Sequence, residues 1–127
     1  MRQSILVLAC ALFFVTSFTS CFRHRHHDTS VTISDSGDDY EMYASFDVDK
    51  TRKIQRLLDR ELNLDLGSSG RNEHVDANIT LDDQTTFYIR AVPGRLRIRF
   101  DKSENSGESW EKIHEVCEEI KEALTDN

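Results

Sequence analysis

The sequence predicts a two-layer α+β domain: a five-stranded, mainly antiparallel sheet with two helices on one face, in the order ββαβββα. Three patterns predict it. Five short runs alternate apolar and polar residues, the period of strands that bury one face. Two longer stretches repeat apolar residues every three or four positions, the period of helices with one buried stripe. Finally, the runs flanking Pro93-Gly94 match apolar to apolar when folded back on each other.

The first strand has Val31 and Ile33 alternating with Thr32 and Ser34. Asp35-Ser36-Gly37-Asp38-Asp39 is dense in turn formers, and Met42, Ala44 and Phe46 then alternate with Glu41, Tyr43 and Ser45, so these two runs read as a hairpin. A helix is expected over about residues 50 to 64, with Asp47 or Asp49 capping its first turn. Its apolar stripe is Ile54, Leu57, Leu58 and Leu62. Gly67 is the expected stop, followed by a loop through Asn72.

The third strand places Val75, Ala77, Ile79 and Leu81 on one face, and the fourth turns Phe87, Ile89 and Ala91 inward. In the fifth, Leu96, Ile98 and Phe100 face Ala91, Ile89 and Phe87 in turn. Pro then Gly suits a type II turn, which fits a two-residue hairpin poorly, so a wider connection is expected there. The last helix is expected over about residues 108 to 124, capped by Ser106, with Trp110, Ile113, Val116, Cys117, Ile120 and Leu124 as its buried stripe.

Ahead of this domain the chain has a different character. Met1-Arg2-Gln3 is a charged head, Ile5 to Val15 carry no charge, and Thr16-Ser17-Phe18-Thr19-Ser20 leads to Cys21. This layout resembles a bacterial lipoprotein signal peptide. Thr19, Ser20 and Cys21 match the family's cleavage box; Phe18 stands where the family prefers Leu. The resemblance implies removal of residues 1 to 20 and acylation of Cys21. It implies a lipid-anchored protein of the cell envelope. Phe22 replaces the aspartate of inner-membrane retention, and the following cluster is basic rather than acidic, so the resemblance points to an outer-membrane protein facing the periplasm. Cleavage by a general signal peptidase and an uncleaved anchor are the rival readings.

The expected organisation is a signal at 1 to 20, a lipidated, histidine-rich tether at 21 to 30 and one domain at 31 to 127. The full chain has 127 residues and a formal net charge of -7. The signal contains one basic residue, Arg2, and no acidic one, so the remaining 107 residues carry 15 basic against 23 acidic side chains. Nucleic-acid binding needs a basic footprint and is disfavoured. On that resemblance Cys10 leaves with the signal and Cys21 is acylated, which leaves Cys117 without a disulfide partner.

The sharpest candidate site is the polar face of the sheet. Tyr88, Arg90, Arg95, Arg97 and Arg99 project away from the helices, and the register sets Arg90 opposite Arg97 and Tyr88 opposite Arg99. Like charges directly opposite destabilise a sheet. Either Glu41, Asp76 and Asp101 compensate, with arginine stems over Tyr43 and Tyr88, or the face binds an anion or a protein partner.

The second candidate is His24, His26, His27 and Asp28, whose donors suit zinc, copper or nickel, against a solvated tether as the simpler reading. Catalysis has little support. Cys117 falls in an apolar stripe, His114 lies at its boundary, and no GxSxG, HExxH, Walker or dinucleotide motif is present. No cofactor is expected. The leading expectation is a small non-enzymatic envelope lipoprotein that binds a protein or anionic envelope component through its open sheet face. The alternatives are a periplasmic metal-handling lipoprotein and, more weakly, an enzyme with an unfamiliar site.

Overall fold

Alternation and helical spacing become the expected elements in the computed structural model, which describes residues 29–66 and 74–125. In chain order these are β1 (Ser30–Ser36), β2 (Asp39–Ser45), α1 (Thr51–Leu62), β3 (Val75–Thr80), β4 (Thr86–Val92), β5 (Arg95–Asp101) and α2 (Gly107–Thr125). Single 3-10 turns, Val48–Lys50 and Lys102–Glu104, lead into the two helices. The sheet is antiparallel throughout, in the order β1-β2-β5-β4-β3. The expected signal, Cys21, the expected histidine tether and the expected loop from Gly67 through Asn72 lie outside the described residues.

One apolar cluster joins the two layers. From the sheet come Tyr40, Met42, Ala44, Phe87, Ile89, Ala91, Leu96, Ile98 and Phe100, all from inward positions of the three central strands. From the helices come Ile54, Leu57, Leu58 and Leu62 of α1, with Ile113, Val116, Cys117, Ile120 and Leu124 of α2. Both helices therefore cover the same face and the other is open. β1 and β3 are the edges. Val31, Ile33, Val75 and Ile79 are accordingly half-buried, and Ala77, expected inward, is exposed although it stands beside Ile89 in the ladder.

Three local expectations are corrected. The β4–β5 connection is tight, because Val92 pairs with Arg95 and leaves Pro93-Gly94 as the two turn residues. Gly94 has φ +77°, the left-handed second centre of a type II turn. Contacts from outside the hairpin hold it: Phe46 N–H donates to the Gly94 carbonyl at 2.9 Å, and Gly94 N–H donates to Thr51 Oγ1 at 3.0 Å. Helix α1 ends at Leu62, before the expected stop, because Asn63 adopts the left-handed conformation at φ 52°. Asp47 caps the 3-10 turn, accepting from Asp49 N–H at 3.1 Å, while Lys50 precedes α1 without a side-chain cap. Ser106 does cap α2, its hydroxyl accepting from Ser109 N–H at 3.1 Å.

Candidate functional site

The open face is a grid fixed by register. One row runs Thr32, Tyr43, Arg97, Arg90, Asp76 across the five strands, and the next runs Ser34, Glu41, Arg99, Tyr88, Asn78. Nearer the Pro93-Gly94 turn comes Ser30, Ser45, Arg95, Val92. The expected pairs Arg90–Arg97 and Tyr88–Arg99 are both present.

Compensation of these arginines is incomplete. Glu41 lies between two of them: its Oε1 is 3.1 Å from Arg97 Nε and its Oε2 is 3.8 Å from Arg99 Nε. Arg97 Nε is buried and poorly aligned for a hydrogen bond to Glu41, so the contact is an ion pair by proximity. The Arg97 guanidinium also lies over the Tyr43 ring, 5.6 Å from its centroid. Asp76 stands beside Arg90 in the ladder, but its Oδ1 accepts the Tyr88 hydroxyl at 2.7 Å. That hydrogen bond raises the Tyr88 pKa above the ordinary phenol value. Asp101, the third expected counter-charge, is turned into its own loop. It accepts from Ser103 N–H at 2.9 Å and from Ser103 Oγ at 2.6 Å, and these bonds hold its carboxyl below the usual carboxylate range.

Arg90 and Arg95 are left without an ion pair among the described residues. They flank a concavity of about 180 Å³ lined by Tyr43, Arg90, Val92, Arg95, Leu96 and Arg97. Its wall is aromatic and aliphatic, and its rim carries three guanidinium groups. Guanidinium forks match carboxylate and phosphate oxygens, so the arrangement suits a compact anion. The far end of the sheet has the opposite sign: Asp35, Asp38, Asp39, Asp101 and Glu104 gather around the β1–β2 turn and the end of β5. Lys102 there pairs with Asp35 at 2.6 Å and lies over the Trp110 ring.

The site on the open face therefore joins Tyr88, Arg90, Arg95, Arg97 and Arg99 as expected, but Arg99 belongs with Glu41 rather than with the unpaired cluster. Tyr43 and Val92 complete the concavity. The histidines and Asp28 lie outside the described residues, as does Cys21. Cys117 is fully buried, and burial pushes its thiol up to about 12, so it offers no thiolate near neutrality. His114 is exposed, 3.8 Å from Glu118, and makes no contact with that sulfur that would activate it.

Periodicity does not single out one exposed apolar residue. Val48 lies in the 3-10 turn before α1, off the helical stripe, and is 56% exposed, the large apolar side chain most open to solvent among the described residues. An apolar residue between two aspartates, outside both periodic patterns, was its signal.

Fold and site together define a small α+β domain with a two-signed open sheet face. Compared with family models, curated proteins and solved structures, the chain matches none.

Proposed function

We propose that this is a small non-enzymatic lipoprotein of the bacterial envelope, anchored through Cys21 in the outer membrane and facing the periplasm. Its domain captures an anionic group of an envelope component through the arginine end of the open sheet. The observation that carries the reading is the Arg90–Arg97 pair, set side by side with Arg95 close by: Glu41 pairs with Arg97, while Asp76, beside Arg90 in the ladder, is engaged by Tyr88. A sheet that places like charges together loses stability, and a bound anion restores it. Anchoring supports capture by confining domain and ligand to one surface, which raises their effective concentration. Two or three acyl chains on Cys21 hold the protein on a bilayer far more firmly than one.

Two measurements test this. Mass spectrometry of the native product is expected to show residue 21 as an acylated N-terminus; retention of residues 1 to 20 overturns the anchor. Crosslinking in native membranes is expected to yield an adduct that disappears when Arg90, Arg95 and Arg97 are replaced by Gln. An adduct pattern unchanged by those substitutions overturns the site.

A further inference from the structure

The unpaired arginines lie at the same end of the sheet as the start of the domain. Strand β1 begins at Ser30, which pairs with Ser45, and Ser45 pairs with Arg95. The chain therefore enters the fold in the row that holds Arg95 and Val92, next to the Pro93-Gly94 turn. That turn is held by Phe46 and Thr51, so the corner between β2 and α1 belongs to the same end. Val48 sits on this corner, its side chain against Gly94 and otherwise exposed. The tip thus combines an exposed apolar side chain, flanked by Asp47 and Asp49, with the unpaired Arg90 and Arg95 and the Glu41-paired Arg97 on the open face; Lys50 on the corner donates to the Leu124 carbonyl at 3.5 Å.

From these positions the geometry points to a membrane-docking tip: the Val48 corner and the arginines of the concavity rest on an anionic bilayer surface and bind the phosphates of lipid headgroups. The inference deepens the anion-site reading and takes the Cys21 anchor from it. Nine residue steps separate Cys21 from Ser30, a reach of at most about 30 Å for any conformation of the chain. A seven-residue strand is about 24 Å long. An anchor at Cys21 therefore favours the entry end of the sheet at the surface, and reaching the far end would require the connection to be nearly straight. Charge acts in the same direction. The mature chain is acidic overall, but Asp35, Asp38, Asp39, Asp101 and Glu104 lie at the far end, so an anionic surface repels that end and attracts the tip. The concavity, about 180 Å³ in volume, has room for a headgroup phosphate. A phosphate oxyanion also answers the side-by-side placement of Arg90 and Arg97, which no carboxylate of the described domain relieves on the Arg90 side.

The test uses the mature chain from residue 21 with Cys21→Ser, which removes the acyl chains. Every core residue lies between Tyr40 and Leu124, so this chain keeps the core whole. It is expected to sediment with vesicles of phosphatidylcholine mixed with phosphatidylglycerol, and far less with phosphatidylcholine alone. Replacing Arg90, Arg95 and Arg97 together by Gln is expected to weaken binding on the order of a hundredfold, at roughly fivefold per arginine near a charged surface. Val48→Asp is expected to weaken it several-fold, whereas Arg60→Gln, on the exposed far part of α1, leaves it unchanged. A fluorophore on Val48→Cys is expected to shift to the blue on the anionic vesicles, and one on Ser36→Cys at the acidic end to stay constant. Equal binding to both vesicle types, or a shift at Ser36→Cys and not at Val48→Cys, overturns the proposal. If glycerol phosphate saturates the arginines and the vesicles fail to bind, a soluble phosphate ester is the ligand: the docking falls and the anion site stands. If neither probe binds, both fall.

Discussion

Asp76 stands directly beside Arg90 in the β3–β4 ladder, yet its carboxylate accepts the hydroxyl of Tyr88 at 2.7 Å and makes no ion pair with that arginine. A single hydrogen bond thus decides whether Arg90 is neutralised within the sheet or available to a ligand. Tyr88→Phe removes the hydroxyl and frees Asp76 to turn to Arg90. Anion affinity at the concavity is expected to fall several-fold, with stability changed by less than about 1 kcal/mol, as for an exposed pair. Calorimetry with glycerol phosphate and a denaturant curve for each form check both halves. Unchanged affinity shows that Tyr88 does not control the site.

The Arg90–Arg97 pair makes binding and stability oppose each other. Removing one of two like charges opposite each other relieves a repulsion of roughly 0.2–1 kcal/mol. Arg90→Thr is therefore expected to raise the stability of the free domain by a few tenths of a kcal/mol while lowering its affinity for anions. Loss of stability in this variant would mean that Arg90 is held by contacts with the sheet itself.

Gly94 and Thr51 join the hairpin to the helix layer. A Cβ added at Gly94 would meet the Phe46 carbonyl oxygen at 3.0 Å, and the residue's φ of +77° strains any other side chain. Gly94→Ala is expected to cost about 1–3 kcal/mol. Thr51→Val leaves the buried Gly94 N–H unpaired and is expected to cost a similar amount. If the turn were an ordinary exposed loop, urea midpoints of both variants would match the parent.

Thr85 and Ser109 share a buried hydrogen bond, their hydroxyl oxygens 2.6 Å apart, which ties the start of β4 to the first turn of α2. Ser109→Ala leaves the Thr85 hydroxyl without that partner and is expected to cost about 1–3 kcal/mol. The double variant Thr85→Val, Ser109→Ala is expected to recover part of the loss, since both polar atoms are then gone. A double-mutant cycle by thermal unfolding measures the coupling; strictly additive effects would refute it.

High pH is expected to unfold the domain through its core. The Cys117 thiol and the Tyr40 hydroxyl lie together below the sheet, and burial raises the pKa of both, the thiol to about 12. In the unfolded chain the thiol titrates near 8.5. Above that pH the folded state holds more protons than the unfolded one, so stability falls as pH rises, with a slope of up to about 1.4 kcal/mol per pH unit for each group. The thiol's share of this loss is absent below pH about 8.5 and complete near 12. Denaturant melts from pH 7 to 11 are expected to show the decline, and Cys117→Ala to flatten it. A flat profile in the parent would contradict it.

The sequence by itself determined the element order, the two-layer packing and the register of the β4–β5 hairpin. These follow from periodicity: a strand repeats every two residues and a helix every 3.6, and slipping Ile89 from Ile98 by one position would turn Phe87, Ile89 and Ala91 out to water. The membership of the open face followed too, since outward positions are the complement of inward ones. Tertiary structure alone decided the rest. Whether Asp76 would take Arg90 or Tyr88, whether Asp101 would face an arginine or Ser103, and whether Pro93-Gly94 could close a tight turn all depended on hydrogen bonds whose partners are distant in sequence or equally near. Periodicity fixes which way a side chain points. It carries no information on which of several partners within reach will hold it, because those options differ by about the energy of one hydrogen bond.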